Sequence, residues 1–152
     1  VNPAVCQGPN GTYFMIIKGD KPGGNGMRSQ ALATAPQPEG PWTIQDKPVI
    51  DNLDTEDVSM WYDQTRNRFY AVFHAHTFIG LMTSADGMNW EKAKQYRLIS
   101  KGIPFDDGST WMPARMERPF VLTDEKGSPI MLFVACLGEN MSADIALPLY
   151  SE

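Results

Sequence analysis

The sequence predicts an all-β chain of four-stranded antiparallel units, arranged as the blades of a partial β-propeller. Three observations carry that prediction. Gly 13 and Pro 12 together make 25 of the 152 residues, a density that interrupts helices but suits short strands joined by turns. A segment consisting of a polar or charged head, a short strand, a tight turn and a richly apolar strand occurs three times, at a period of roughly 50 residues. In the first two copies a Gly-containing turn delivers a tryptophan at the same point, Trp42 and Trp90. A plain antiparallel sandwich shares the short strands and frequent turns, but the recurring tryptophan and the head residues favour blades.

In the first copy, Asn2-Pro3-Ala4-Val5 opens the inner strand, Pro9-Asn10-Gly11 turns, and Tyr13 to Lys18 returns as the apolar second strand. Gln30 to Ala35 forms a third strand, the turn around Gly40-Pro41-Trp42 follows, and Thr43 to Gln45 forms a short fourth. The second copy runs from Glu56 to Tyr62, turns at Asp63 to Asn67, returns from Phe69 to His74, and continues at Ile79 to Ser84; Asp86-Gly87-Met88-Asn89-Trp90 then leads to its outermost strand. Lys101 to Thr110 is an insertion, expected as a loop at a blade mouth. The third copy has strands at Glu117 to Leu122, Ile130 to Ala135 and Ala143 to Leu147, with no fourth strand before Glu152. The expected blades span residues 2–50, 54–100 and 113–152.

Composition narrows the function. With 42% hydrophobic and 20% charged residues the chain is neither a disordered tail nor a fibre. Its longest apolar stretches, Tyr13 to Ile17 and Ile130 to Leu137, fall short of the roughly 20 residues of a membrane-spanning helix, so no membrane partner is expected. The net charge of −5 and the scattered positive residues offer no basic stripe for nucleic acid. Lys18, Lys21 and Arg28 read as a solvated loop rim, with phosphate binding as the alternative. Cys6 and Cys136 lack metal-ligand spacing and read as small core residues, as do Met15, Met60, Met82 and Met131. Trp42 and Trp90 read as blade core. The opening Val-Asn-Pro-Ala-Val shows no signal peptide, which leaves cytoplasmic, periplasmic and secreted locations open.

Gly40-Pro41-Trp42, the Ser84 to Trp90 turn and the acidic heads of successive inner strands resemble the five-bladed propeller glycoside hydrolases. That group comprises glycoside hydrolase family 43, with its arabinanases and xylosidases, and the invertases and levansucrases. Asn2-Pro3-Ala4-Val5, Glu56-Asp57 and Arg115 to Phe120 resemble a bacterial family 43-like subgroup in particular. The resemblance implies that the chain corresponds to the last three blades of five. Two blade faces are then unpaired, and a homodimer or higher homo-oligomer is expected to cover them.

Glycoside hydrolysis requires one carboxyl as acid and one as base or nucleophile on either side of the scissile bond. The heads supply Glu56, Asp57 and Glu117. Glu117 is expected to be the acid, desolvated by Met116, Pro119 and Phe120, with Asp57 ionised beside it. The resemblance implies an aspartate base on the first of the five blades, which this chain is expected to lack, and the head of its own first blade is Asn2, a substrate-binding candidate that cannot act as a base. Strand alternation puts His74 and His76 on one face with Tyr70 and Val72, where they bind sugar hydroxyls, help to hold an axial calcium of the kind the resemblance implies, or merely form a polar strand end. No metal pattern is read from the residues themselves. Arg118 is expected to orient Glu117 or to bind a substrate carboxylate, and Lys18 matches it on the first blade. Trp61, Trp111 and Tyr62 are candidate sugar platforms. The expected activity is hydrolysis of a plant or algal glycan by an assembled oligomer. The alternatives are an inactive carbohydrate-binding relative and a bare interaction module.

Overall fold

A computed structural model describes residues 2–149. The described chain is all strand and turn. Strands β1 (Ala4–Gln7), β2 (Tyr13–Asp20), β3 (Arg28–Ala35) and β4 (Thr43–Ile44) form one antiparallel sheet in sequence order. A second sheet repeats that order with β5 (Glu56–Asp63), β6 (Arg68–Ala75), β7 (Phe78–Ser84) and β8 (Trp90–Ser100). After the short strands β9 (Ile103–Pro104) and β10 (Thr110–Trp111), a three-stranded sheet follows with β11 (Arg115–Thr123), β12 (Pro129–Leu137) and β13 (Ser142–Pro148). The three expected sheets are therefore present, the third with three strands among the described residues. The expected loop over Lys101 to Thr110 is instead a β9–β10 hairpin, because buried Ile103 anchors it to the core between the second and third blades. Among the described residues no helix is long and apolar enough to cross a membrane.

Carboxylates organise the turns. Asp63, fully buried, accepts hydrogen bonds from the Thr65 amide at 2.8 Å and the Thr65 hydroxyl at 2.6 Å. Asp86 accepts the Met88 and Asn89 amides at 2.9 and 2.7 Å, and Asp124 does the same for Lys126 and Ser128 at 2.9 and 2.8 Å. These are Asx turns, in which the carboxylate accepts from the backbone amide two residues on and mimics a backbone turn. Trp90 closes its turn by donating from Nε1 to the Gly87 carbonyl at 2.9 Å and packs on the first core, whereas Trp42 lies half-buried beside Gly40.

Two cores meet at β6. On one face, Phe69, Ala71, Phe73 and Ala75 join Phe14, Ile16 and Leu32 of the first blade. On the other, Val72 joins Val121, Leu132 and Val134 of the third. A strand covered on both sides cannot alternate polar with apolar, and every residue from Ala71 to Ala75 is buried. Phe73 lies across its register partner Gly80, where any Cβ would overlap the ring.

The third blade also clamps on the second through its first turn: the Gln64 amide donates to the Lys126 carbonyl at 2.8 Å. Gly127 follows with φ of 80°, and a Cβ there would overlap the Tyr62 carbonyl. Gly127→Ala should therefore cost about 1–3 kcal/mol. Phe73→Ala, which empties the space between two blades, should cost about 3–5 kcal/mol. Urea denaturation of the two variants against the parent measures both, and a Gly127→Ala protein as stable as the parent would refute the clamp.

Candidate active site

Two β-bulges shape the mouth of the blades. In the second blade Glu56 pairs with His74, and regular pairing resumes only at Ser59 with Val72. In the third, Glu117 pairs with Ala135 and pairing resumes at Phe120 with Phe133. The residue after each glutamate has a left-handed backbone, with φ of 49° at Asp57 and 52° at Arg118. A bulge re-aims the strand, so neighbouring side chains no longer simply alternate. As a result Glu56 and Glu117 line one cavity of about 340 Å³, with Arg28, His74, His76 and Arg115. Asp57 and Arg118 line a second, of about 340 Å³, with Asn2.

In the first cavity both glutamates are ion-paired. Glu56 meets Lys18 at 3.0 Å and also Arg28. Arg28 in turn grips Asp54 through Nε at 2.8 Å and Nη2 at 2.7 Å, and His76 Nε2 lies 2.8 Å from the same carboxylate. The Arg28 guanidinium, with His76 and against the cost of burial, holds Asp54 well below the usual carboxylate range. Glu117 accepts from Arg115 Nε and Nη2, each at 2.8 Å, a fork made possible because residues two apart on a strand share a face.

His74 is 4% exposed, its ring 5.5 Å from that of His76, and its Nδ1 is buried with no partner among the described residues. Burial pushes His74 below its ordinary pKa, against the pull of the Glu117 charge.

Several sequence expectations need correction. Arg115, not Arg118, orients Glu117, because the bulge turns Arg118 into the neighbouring cavity. Of the three residues expected to desolvate Glu117, Met116 belongs to the second core and lines the same cavity, whereas Pro119 lines the neighbouring cavity and Phe120 is 53% exposed. Lys18 and Arg28 are not a solvated rim, since each is committed to a carboxylate, whereas Lys21, 37% exposed, donates from Nζ to the Asp51 carbonyl at 2.6 Å. Trp61 is no sugar platform: it stacks on its cross-strand partner Tyr70 at 5.5 Å and packs on the second core. Tyr62 is likewise engaged with Phe69 at 4.8 Å in the first core. An axial calcium does not fit. The cavity where the three heads meet offers Asp57, already bonded by the Asn2 amide, beside the cationic Arg118. No group of three or more His, Cys, Asp or Glu among the described residues is placed to hold a metal. Cys6 and Cys136 are free thiols, and burial raises both, Cys6 to about 11.

Sequence reasoning gave no role to Asp54 or Arg115. The period-two spacing of Arg115 and Glu117 was a usable signal; nothing local links Arg28 to Asp54, 26 residues away.

Because His74 is depressed below 6.5, an unfolded chain takes up a proton below pH 6.5 that the folded chain refuses. Its contribution to stability is present above that pH and lost as pH falls. The urea midpoint should drop between pH 7.5 and pH 5, and His74→Gln should shrink the drop; an equal drop in both proteins would refute the assignment. Asp54 is depressed too, but its contribution is lost only on falling below its ordinary value of 3.8, outside this window.

No protein-family model and no curated protein matches the chain. Among solved structures, it is similar to an exo-β-1,3-galactanase from Phanerochaete chrysosporium with β-1,3-galactotriose, at TM-score 0.59 and 16% identity over 95% of this chain and 32% of that one. It is similar to fructan 1-exohydrolase IIa from Cichorium intybus in complex with 1-kestose, at TM-score 0.60 and 16% identity over 96% of this chain and 30% of that one. It is also similar to an endo-arabinase from Bacteroides thetaiotaomicron, at TM-score 0.53 and 13% identity over 99% of this chain and 75% of that one. The chain thus spans about a third of the length of the first two. In fold, the chain is similar to part of the five-bladed propellers of these glycosidases.

Proposed function

We propose that this chain hydrolyses glycosidic bonds of a plant or algal glycan, with carboxylates from two neighbouring blades on either side of the bond. The observation that carries the reading is the convergence of Glu56 and Glu117, from equivalent bulges, on one cavity that also holds two histidines. The likeness in fold to enzymes that act on galactans, fructans and arabinans supports it. Glu117 acts as the acid that protonates the leaving oxygen. As it stands it only accepts hydrogen bonds, so Arg115, largely exposed, must swing off before Glu117 can donate. Glu56, fixed between Lys18 and Arg28, stays ionised as base or nucleophile. Asp57, bonded by Asn2, sets the charge of the neighbouring cavity, where Arg118 binds substrate. His74 and His76 bind sugar hydroxyls.

A second copy of the chain completes the assembly. Ile44 is 70% exposed on the outer face of the first blade, and Phe120 and Leu122 are exposed on that of the third. Open blade faces of this kind associate. Sedimentation should give a dimer or larger species, and Phe120→Glu should shift it toward monomer; a parent that is monomeric at all concentrations would refute closure by a second copy.

A carbohydrate-binding module without hydrolysis is the second reading, favoured by the ion pairs that occupy both glutamates and by the amide at Asn2. Chromogenic arabinosides, xylosides, galactosides and fructosides separate the two. For an enzyme, Glu117→Gln should cut hydrolysis by about 100- to 10,000-fold while sugar binding persists. Sugar binding by a parent that hydrolyses none of them would support the second reading.

A further inference from the structure

A larger cavity, about 630 Å³, opens between the β9–β10 hairpin and the turn joining β12 to β13. Lys101 and Ala114 line both this cavity and the one that holds Glu56 and Glu117, so the two are adjacent. Its wall is built around Trp111. Gly138 lets the indole lie against the backbone, since a Cβ there would come within 3.1 Å of the ring. Met112, 66% exposed, and Met141, 54% exposed, flank it. Lys101, Glu139 and Asn140 supply polar groups at the edge.

A sugar ring has the matching chemistry: an apolar face of C–H bonds suited to an indole, and a rim of hydroxyls suited to amide, ammonium and carboxylate groups. We propose that this cavity is a second saccharide subsite, which holds the next unit of an oligosaccharide whose reacting unit sits between Glu56 and Glu117. The inference rests on the reading of that first cavity as a sugar site. The hairpin, an insertion relative to the first blade, is then the element that selects chains over single sugars.

The test uses calorimetric binding to the Glu117→Gln protein, which blocks turnover. The probes are arabinose, galactose and fructose with their oligomers of two to four units. Affinity for one of the three series should rise about tenfold from the single sugar to the longer chain. Trp111→Ala should abolish that gain and leave single-sugar binding unchanged. Met112→Ala, at an exposed position where folding is not at risk, should reduce the gain about two- to threefold. Single-sugar binding with no gain for longer chains, or a gain that neither substitution alters, would overturn the subsite and leave the first cavity intact. Absence of binding by any sugar would overturn both.

Discussion

Burial of β6 on both faces is the constraint on which the rest of the structure depends. Phe73 fills the space between the first and second blades while Val72, one residue away, fills that between the second and third. Because alternate side chains of one strand enter opposite cores, neither core can shift without moving the other. The same alternation delivers His74, next in line after Val72 on its face, to the mouth of the blades beside Glu117. The hydrophobic packing and the candidate chemistry are thus set by one register.

The bulges convert a repeat into a site. Without them, Asp57 and Arg118 would simply alternate with Glu56 and Glu117 in regular pairing with β6 and β12. With them, each glutamate turns into one cavity and the following residue into another. Left-handed backbone at Asp57 and Arg118, neither of them glycine, is costly and is held by the surrounding sheets.

Charge in this region is locally balanced rather than free. Arg28 links Asp54, Glu56 and His76, and Arg115 caps Glu117. Such forks orient carboxylates well, and they also mean that a ligand must compete with a guanidinium for Glu117. The exposure of Arg115 against the partial burial of Arg28 distinguishes the movable cap from the fixed one.

Much of the architecture was legible in the sequence. Strand positions other than β9 and β10, the turns at Asp63, Asp86 and Asp124, and the placing of Glu56 and Glu117, though not of Asp57, at one cavity follow from patterns within a few residues or from comparing copies. Alternation and turn chemistry are local, so they survive without knowledge of the neighbours. The role of Arg118, the isolation of Trp61 and the hairpin over Lys101 to Thr110 were not legible. The bulge that redirects Arg118 is a backbone feature with no residue signature here, and Trp61 looks like a platform until Tyr70 is placed against it. By itself, then, the sequence determined the strands of the three blades and their order. Only tertiary structure decided which charges meet there, because Lys18 and Glu56, 38 residues apart, or Arg28 and Asp54, 26 apart, become neighbours only when separate strands are packed together.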